Sequence, residues 1–208
     1  MMKRAIDIVL SIVGLVALSP LWALIAVALK MDSAGPVLYA QARVGKGGRQ
    51  FRIFKFRSMV VDAEARLREI QGSNQRSGPL FKLAHDPRIT RVGRILRATS
   101  IDELPQLFNV MKGEMSIVGP RPALADEVAS FSPALRQRHA VLPGITGLWQ
   151  VEGRDDPDFA VYEELDIFYV ENWSVMLDIT IILRTVWVLV RRVARKLTPG
   201  TSNTIVLD

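Results

Sequence analysis

The residues with the clearest capacity for chemistry are two adjacent carboxylates, Asp102 and Glu103, within TSIDELPQLFNVMKGEMSIVGPRP. Basic residues recur on either side in the chain: Lys55 and Arg57 in FRIFKFRSM, Arg97 just upstream, Arg121 in GPRP and Arg154 in EGR. Taken singly, each is an ordinary solvated surface charge. Together with the two acids they fit a Mg2+-assisted site for a diphosphate. Guanidinium forks would clamp phosphate oxygens, and Asp102 and Glu103 would take the metal. The chemistry of such a site is phosphoryl transfer, and a carboxylate can act as nucleophile at phosphorus, dividing one hard displacement into two easier ones. A structural use of the pair competes with this. Ser100-Ile101-Asp102-Glu103 matches the Ser-x-x-Glu capping box, with acids favoured by the helix dipole. Pro105 weighs against that use: with Ser100 as cap it falls past the first turn. It suits the first position of a helix over 105–112, ended by Gly113.

A frame must carry these groups. Residues 5–29 form an apolar run whose one strongly polar member is Asp7. A straight helix of that length would cross a ~30 Å hydrocarbon core. Ser19-Pro20 interrupts it, because proline removes a helical hydrogen bond and clashes with the preceding turn. The arms, 5–18 and 21–29, would be roughly 21 Å and 13 Å long, so neither spans alone. Lys3 and Arg4 precede the run, and Lys30, Arg43, Lys46, Arg49 and Arg52 follow it. Basic flanks mark the cytoplasmic side, and here both flanks are basic. A helix-break-helix that enters and leaves by one face reconciles these facts, with the Ser19 hydroxyl as local partner for freed backbone. A kinked spanning helix and a signal peptide ending near Ala26-Val27-Ala28 are the competing readings.

Residues 36–59 read as a β-hairpin around Gly45-Lys46-Gly47-Gly48, without the spacing or ending of a P-loop. A short charged helix is expected over 60–70, a mobile polar loop over 71–79, and a helix over 89–98 carrying Arg91, Arg94 and Arg97. Over 177–196 an apolar face (Ile179, Ile182, Leu183, Val186, Leu189, Val190 and Val193, with Trp187 at its edge) opposes Arg184, Arg191, Arg192 and Arg195. Such a helix lies in a bilayer interface or packs on a core with a solvated basic side. The 208 residues carry a net charge of +6, which points to anionic partners, and are 49% hydrophobic. The absence of cysteine excludes disulfides, thiolate catalysis and cysteine-held zinc, and two separated histidines argue against a histidine metal site. The expected fold is α/β: a small sheet with surrounding helices, divided into a re-entrant membrane segment (1–30), a catalytic part (31–197) and a loose tail (198–208).

The motifs KRAIDIVLS, Ser19-Pro20, GPVLYAQARVG, FRIFKFRSM, RVGRILRATSIDELPQLFNVMKGEMSIVGPRP, LPGITGLWQVEGR and LDIFYVENWS run through nearly the whole chain. In them the sequence resembles the small monotopic phosphoglycosyl transferases, the bacterial sugar transferase family acting on polyprenyl phosphate. The resemblance implies a segment broken at Ser19-Pro20 that re-enters the membrane, and a catalytic part on the cytoplasmic face of the bacterial inner membrane. It implies Asp102 as nucleophile of an Asp-Glu dyad, Mg2+ as cofactor, a UDP-sugar donor, and polyprenyl (usually undecaprenyl) phosphate as acceptor, with UMP leaving. Lys55, Arg57, Arg97, Arg121, Arg154 and Asp166 are its implied substrate-binding residues. The extra N-terminal portions of the large family members have no counterpart in this sequence. The sugar and any homo-oligomer stay open. Two non-enzymatic readings remain beside it: a basic, membrane-anchored lipid-binding protein, and a nucleic-acid module prompted by charge alone. No recognised nucleic-acid motif is present, so nucleic acid is not an expected partner.

Overall fold

The computed structural model describes residues 2–197, with side chains as far as residue 194. The expected 198–208 tail and the side chain of Arg195 lie outside what is described.

Helices α1 (Met2–Ala17) and α2 (Ser19–Asp32) meet at a 60° bend. No single described helix is long and apolar enough to cross a membrane; this bent pair is, by length and composition. The cause of the bend is local. Pro20 has no N–H to give to the carbonyl of Val16, four residues back, and the Ser19 hydroxyl donates to that carbonyl instead, at 2.8 Å.

Both ends of the pair are fastened to one folded body. Lys3 Nζ donates to the Val118 carbonyl (3.0 Å) and pairs with Asp178 (2.6 Å). Arg4 donates to the carbonyls of Val110 and Met111 at 2.6 and 2.9 Å. Asp7, the polar exception in the run, is buried and accepts from Ser116 Oγ and the Ile117 amide at 3.0 and 2.9 Å. At the other end Asp32 accepts from the Val92 amide, and Arg57 donates to the carbonyls of Leu29, Ser33 and Ala34. Ile25 and Leu29 bury against Phe56 and Leu96, and Trp22 stands edge-on to Phe56 and Phe108. Val13, Val16, Leu24 and Val27 stay exposed. The apolar run is therefore partly core and partly an unburied ridge.

The hairpin pairs β1 (Leu38–Val44) with β2 (Gln50–Phe56), Leu38 opposite Phe56 and Val44 opposite Gln50. Gly47 and Gly48, at φ +66° and +74°, make the reversal that other residues resist. Helices α3 (Ala63–Ile70), α4 (Arg91–Thr99) and α5 (Gln106–Lys112) follow. Strand β3 (Ser116–Val118) pairs in parallel with β4 (Gly144–Thr146), and α6 (Ala125–Ala129) lies between them in sequence. The single small sheet expected is thus two separate strand pairs among the described residues. A Cβ on Gly144 would lie 2.1 Å from the Gly119 nitrogen, so only glycine lets the start of GPRP approach LPGITG this closely.

Helices α7 (Leu148–Glu152), α8 (Phe159–Glu171) and α9 (Val175–Leu197) complete the chain. Trp149 and Tyr162 meet edge-to-face in a core with Phe131 and Leu135. The last helix packs on the core along part of its apolar face. Ile181 is fully buried, whereas Leu183, Val186, Trp187 and Val190 remain exposed. The stretch 71–79, expected as a mobile loop, follows a pinned path. The Asn74 side chain bonds the carbonyls of Arg76 and Leu80 and the Lys82 amide, and the Ser77 amide bonds the Pro157 carbonyl.

Candidate active site

The acidic pair sits on a single 3-10 turn, Ile101–Glu103, between α4 and α5. Ser100 takes the left-handed conformation (φ 57°) and ends α4, its amide bonding the carbonyls of Arg97 and Leu96. Its side chain makes no capping bond, so the Ser-x-x-Glu capping box is not formed. A serine in this conformation costs on the order of 1 kcal/mol, and it turns the chain directly before Asp102. Gly113 (φ 83°) ends α5 as the sequence implied, whereas Pro105, expected as its first residue, stands at the N-cap one place before Gln106. Ile101 and Leu104 pack on the core around Phe56 and Leu96, which fixes the turn from both sides of the acids. Asn109, wholly buried, accepts from the Phe54 amide and donates to the Arg52 carbonyl, locking α5 to the hairpin.

The two carboxylates have different surroundings. Asp102 is 6% exposed, and among the described residues its carboxylate accepts no hydrogen bond. Burial, then the neighbouring charge of Glu103, pushes its carboxyl up; Lys55, Arg97 and Arg154 offset this only in part. Glu103 Oε1 takes a 2.6 Å hydrogen bond from Lys55 Nζ on β2. Burial raises its carboxyl too, but the charge and hydrogen bond of Lys55, with Arg154 and Arg121, hold it below the usual range.

Four of the sequence-predicted residues thus gather at the pair. Lys55 touches Glu103, Arg121 and Arg154 act on it through space, and the exposed Arg97 acts on Asp102. Arg57 is not among them: it is 5% exposed and spends its donors on the end of α2 and the segment after it. Asp166 is not among them either. It is fully buried, 2.9 Å from Arg138, whose other donors reach the Arg121 carbonyl and the Tyr162 hydroxyl. Burial pushes its carboxyl up to about 6, against the pull of Arg138.

The GPRP turn is held from three directions: Arg138 on the Arg121 carbonyl, Arg43 on the Pro122 carbonyl, and Glu127 on the Arg121 guanidinium at 3.3 Å. Arg43 and Arg76 extend the cationic cluster. Burial, then Arg121, lowers Arg43 to about 10, and burial, then Arg121, also lowers Arg76. Arg76 lies over the Trp149 ring at 5.0 Å and donates to the Arg154 carbonyl. Sequence reasoning passed over both. Arg76 stood in a stretch taken for a loose loop, and Arg43 was counted only as a membrane flank.

Among the described residues no group of three or more acidic or histidine side chains could cage a metal. Mg2+ does not require one: it binds through one or two carboxylates plus substrate phosphates. A partly shielded pair, with one acid lacking any hydrogen bond and both charges close together, fits that donor set. Beside Glu103 opens a mostly aliphatic groove of about 250 Å3, walled by α9 and by residues of the dyad turn, α5 and the parallel strands.

A cation-ringed carboxylate pair thus lies on a fold with a bent, apolar N-terminal helix pair. Residues 1–192 match the family model described as bacterial sugar transferase, and the chain belongs to that family. It is 45% identical over 197 residues to an undecaprenyl-phosphate glucose phosphotransferase of Komagataeibacter xylinus, covering 88% of this chain and 35% of that protein. It is 44% identical over 195 residues to an undecaprenyl-phosphate galactose phosphotransferase of Salmonella typhimurium, 92% of this chain and 41% of that protein. With the exopolysaccharide production protein ExoY of Sinorhizobium fredii it shares 41% identity over 188 residues, 88% of this chain and 83% of the relative. The chain thus spans less than half the length of the first two.

Proposed function

We propose that this chain transfers a sugar-1-phosphate from a UDP-sugar to polyprenyl phosphate. The observation that carries the reading is the unbonded, buried carboxylate of Asp102 beside a Lys55-held Glu103, within a cluster of arginines. An Asp102 oxygen attacks the phosphorus that bears the sugar, and the bond to the bridging oxygen breaks. UMP leaves with that electron pair. An oxygen of the acceptor monophosphate then attacks the same phosphorus, the acyl-phosphate bond breaks, and Asp102 regains its carboxylate. The product is polyprenyl-diphosphate-sugar.

Each residue has a part in this reading. Arg121 and Arg154 take the donor phosphates, since guanidinium forks match phosphate oxygens. Lys55 fixes Glu103, and Arg97 adds positive potential at the edge. Asp102 and Glu103 would hold Mg2+, which would neutralise the diphosphate and the departing UMP. Arg57 and Asp166 position rather than touch: one holds the end of the bent pair, the other holds Arg138 behind the GPRP turn. The segment 1–30 re-enters the membrane, 31–197 forms the catalytic part, and α9 rests its exposed apolar stripe in the interface of the bacterial inner membrane, on the cytoplasmic side. Two features support this placement: both ends of the bent pair bond one body, and an apolar ridge stays exposed. The undecaprenyl-phosphate relatives name different sugars, so the sugar is left unassigned.

Rapid mixing with a panel of UDP-sugars, without acceptor, tests the reading. One UDP-sugar should release a stoichiometric burst of UMP and leave a phosphosugar on the peptide containing Asp102. UMP release only when acceptor is present would remove the covalent step.

A further inference from the structure

The groove beside Glu103 has two chemically distinct parts. Leu104, Leu107 and Ile117 form one apolar wall, and Ile182, Val186 and Leu189 of α9 form the other. Toward the C-terminal end of α9 the lining becomes cationic, with Arg154 and Arg192 next to Glu103. Among the described residues neither arginine has a carboxylate within ion-pair distance, and neither guanidinium makes a hydrogen bond. Arg192 is half-buried, and burial, then the like charge of Arg154, lowers its pKa. Two guanidiniums that repel each other, with Glu103 and Asp155 acting on Arg192 only through space, attract an anion that enters. Val186 belongs to the groove and is also 57% exposed, in one stripe with Leu183 and Val190. The groove therefore opens beside the exposed apolar stripe of α9.

We propose that this groove is the acceptor subsite: the phosphate of polyprenyl phosphate sits on Arg192 and Arg154, and its first prenyl units lie between α9 and the Leu104–Leu107 wall. The assignment rests on the transferase reading above. Charge complementarity selects the occupant, because an anionic head must end beside Glu103 while its apolar tail leaves through the Val186 side into lipid. A nucleotide donor lacks the tail that so aliphatic a channel would take, and Arg121, Arg43 and Arg76, which do not line the groove, remain for its phosphates. Thr146 and Thr185, whose hydroxyls are 2.7 Å apart, satisfy each other within the wall. No unpaired polar group of theirs then faces the prenyl chain. Arg154 stands between the two subsites, within reach of both phosphates that must meet at one phosphorus.

The test uses the full chain in nanodiscs, with Arg192→Ala to remove the cation and Leu189→Trp to fill the groove. With undecaprenyl phosphate, each should raise the acceptor KM about tenfold or more, the loss expected for one charged hydrogen bond or a blocked apolar contact. The acceptor-free UMP burst should persist, which also reports that both variants fold. In wild type, a photoreactive polyprenyl phosphate should label α9, in competition with undecaprenyl phosphate and not with phosphatidylglycerol. An unchanged acceptor KM with the burst intact overturns the groove and leaves the transferase reading standing. Equal competition by phosphatidylglycerol overturns it too, making the groove a general lipid seat. A burst lost in the variants alone moves these residues to the donor half. A burst absent from wild type overturns the transferase reading itself.

Discussion

Lys55 Nζ lies 2.6 Å from Glu103 Oε1, a bond joining the hairpin to the turn 48 positions later. Asp102, the residue before Glu103, takes no such bond. Glu103 is thereby kept charged and fixed in place, and Asp102 keeps free lone pairs. Asp102→Asn should abolish turnover and adduct formation with an unchanged melting temperature, because the amide is a far poorer nucleophile. Glu103→Gln should lose most turnover, and Lys55→Met should lose less. Survival of activity in Asp102→Asn, measured as UMP release, would return the pair to a structural role.

Arginine and lysine carry the same charge but not the same fork. Arg121→Lys and Arg154→Lys should each lower kcat/KM for the UDP-sugar by about tenfold or more, since a bidentate phosphate contact becomes a point contact. For Arg121 the loss should persist after the Glu127 contact is kept in register, as judged by an unchanged melting temperature. Wild-type kinetics in both variants would take these side chains out of the donor site.

The Ser19 bond to the Val16 carbonyl predicts two opposite effects. Ser19→Ala leaves a carbonyl without its partner at the bend and should lower stability by about 1 kcal/mol. Pro20→Leu restores an amide at that position and should straighten the pair toward a spanning helix. Single cysteines at the exposed Met2 and Met31 should react alike with an impermeant thiol reagent in the parent chain, and differently after Pro20→Leu. Opposite reactivity in the parent chain would mean that the segment spans.

Asp86 and Arg88 form a buried ion pair at 2.7 Å that steadies the entry to α4, and so the approach to the acidic turn. Burial alone would push the Asp86 carboxyl up, but the hydrogen bonds and charge of Arg88 hold it below its ordinary 3.8. A depressed carboxyl contributes stability that is complete above its unfolded value and is lost as pH falls through the lower folded value. Asp86→Asn should therefore melt earlier at neutral pH, by about 1–3 kcal/mol, with the difference shrinking once wild type is itself protonated. Equal destabilisation at all pH values would show that shape, not charge, matters there.

The sequence by itself determined whatever depends on near neighbours in the chain. The missing proline N–H sets the bend and Ser19 repairs it. Gly47 and Gly48 set the hairpin turn, and Pro105 and Gly113 bound the helix behind the dyad. Each follows from backbone sterics and hydrogen bonding within a few residues, so each was legible before any fold was known. The tertiary structure alone decided which groups share a space. It made Ser100 the end of α4 rather than the cap of α5, because Ile101 and Leu104 had to reach the Phe56 core. It turned Arg57 to the end of α2 and Asp166 to Arg138, and it brought Arg43, Arg76 and Arg192 to the site. An arginine reads the same in sequence whether it holds a carbonyl, a carboxylate or an empty field. Only packing of distant segments settles that, since charge acts through distance in space and not along the chain.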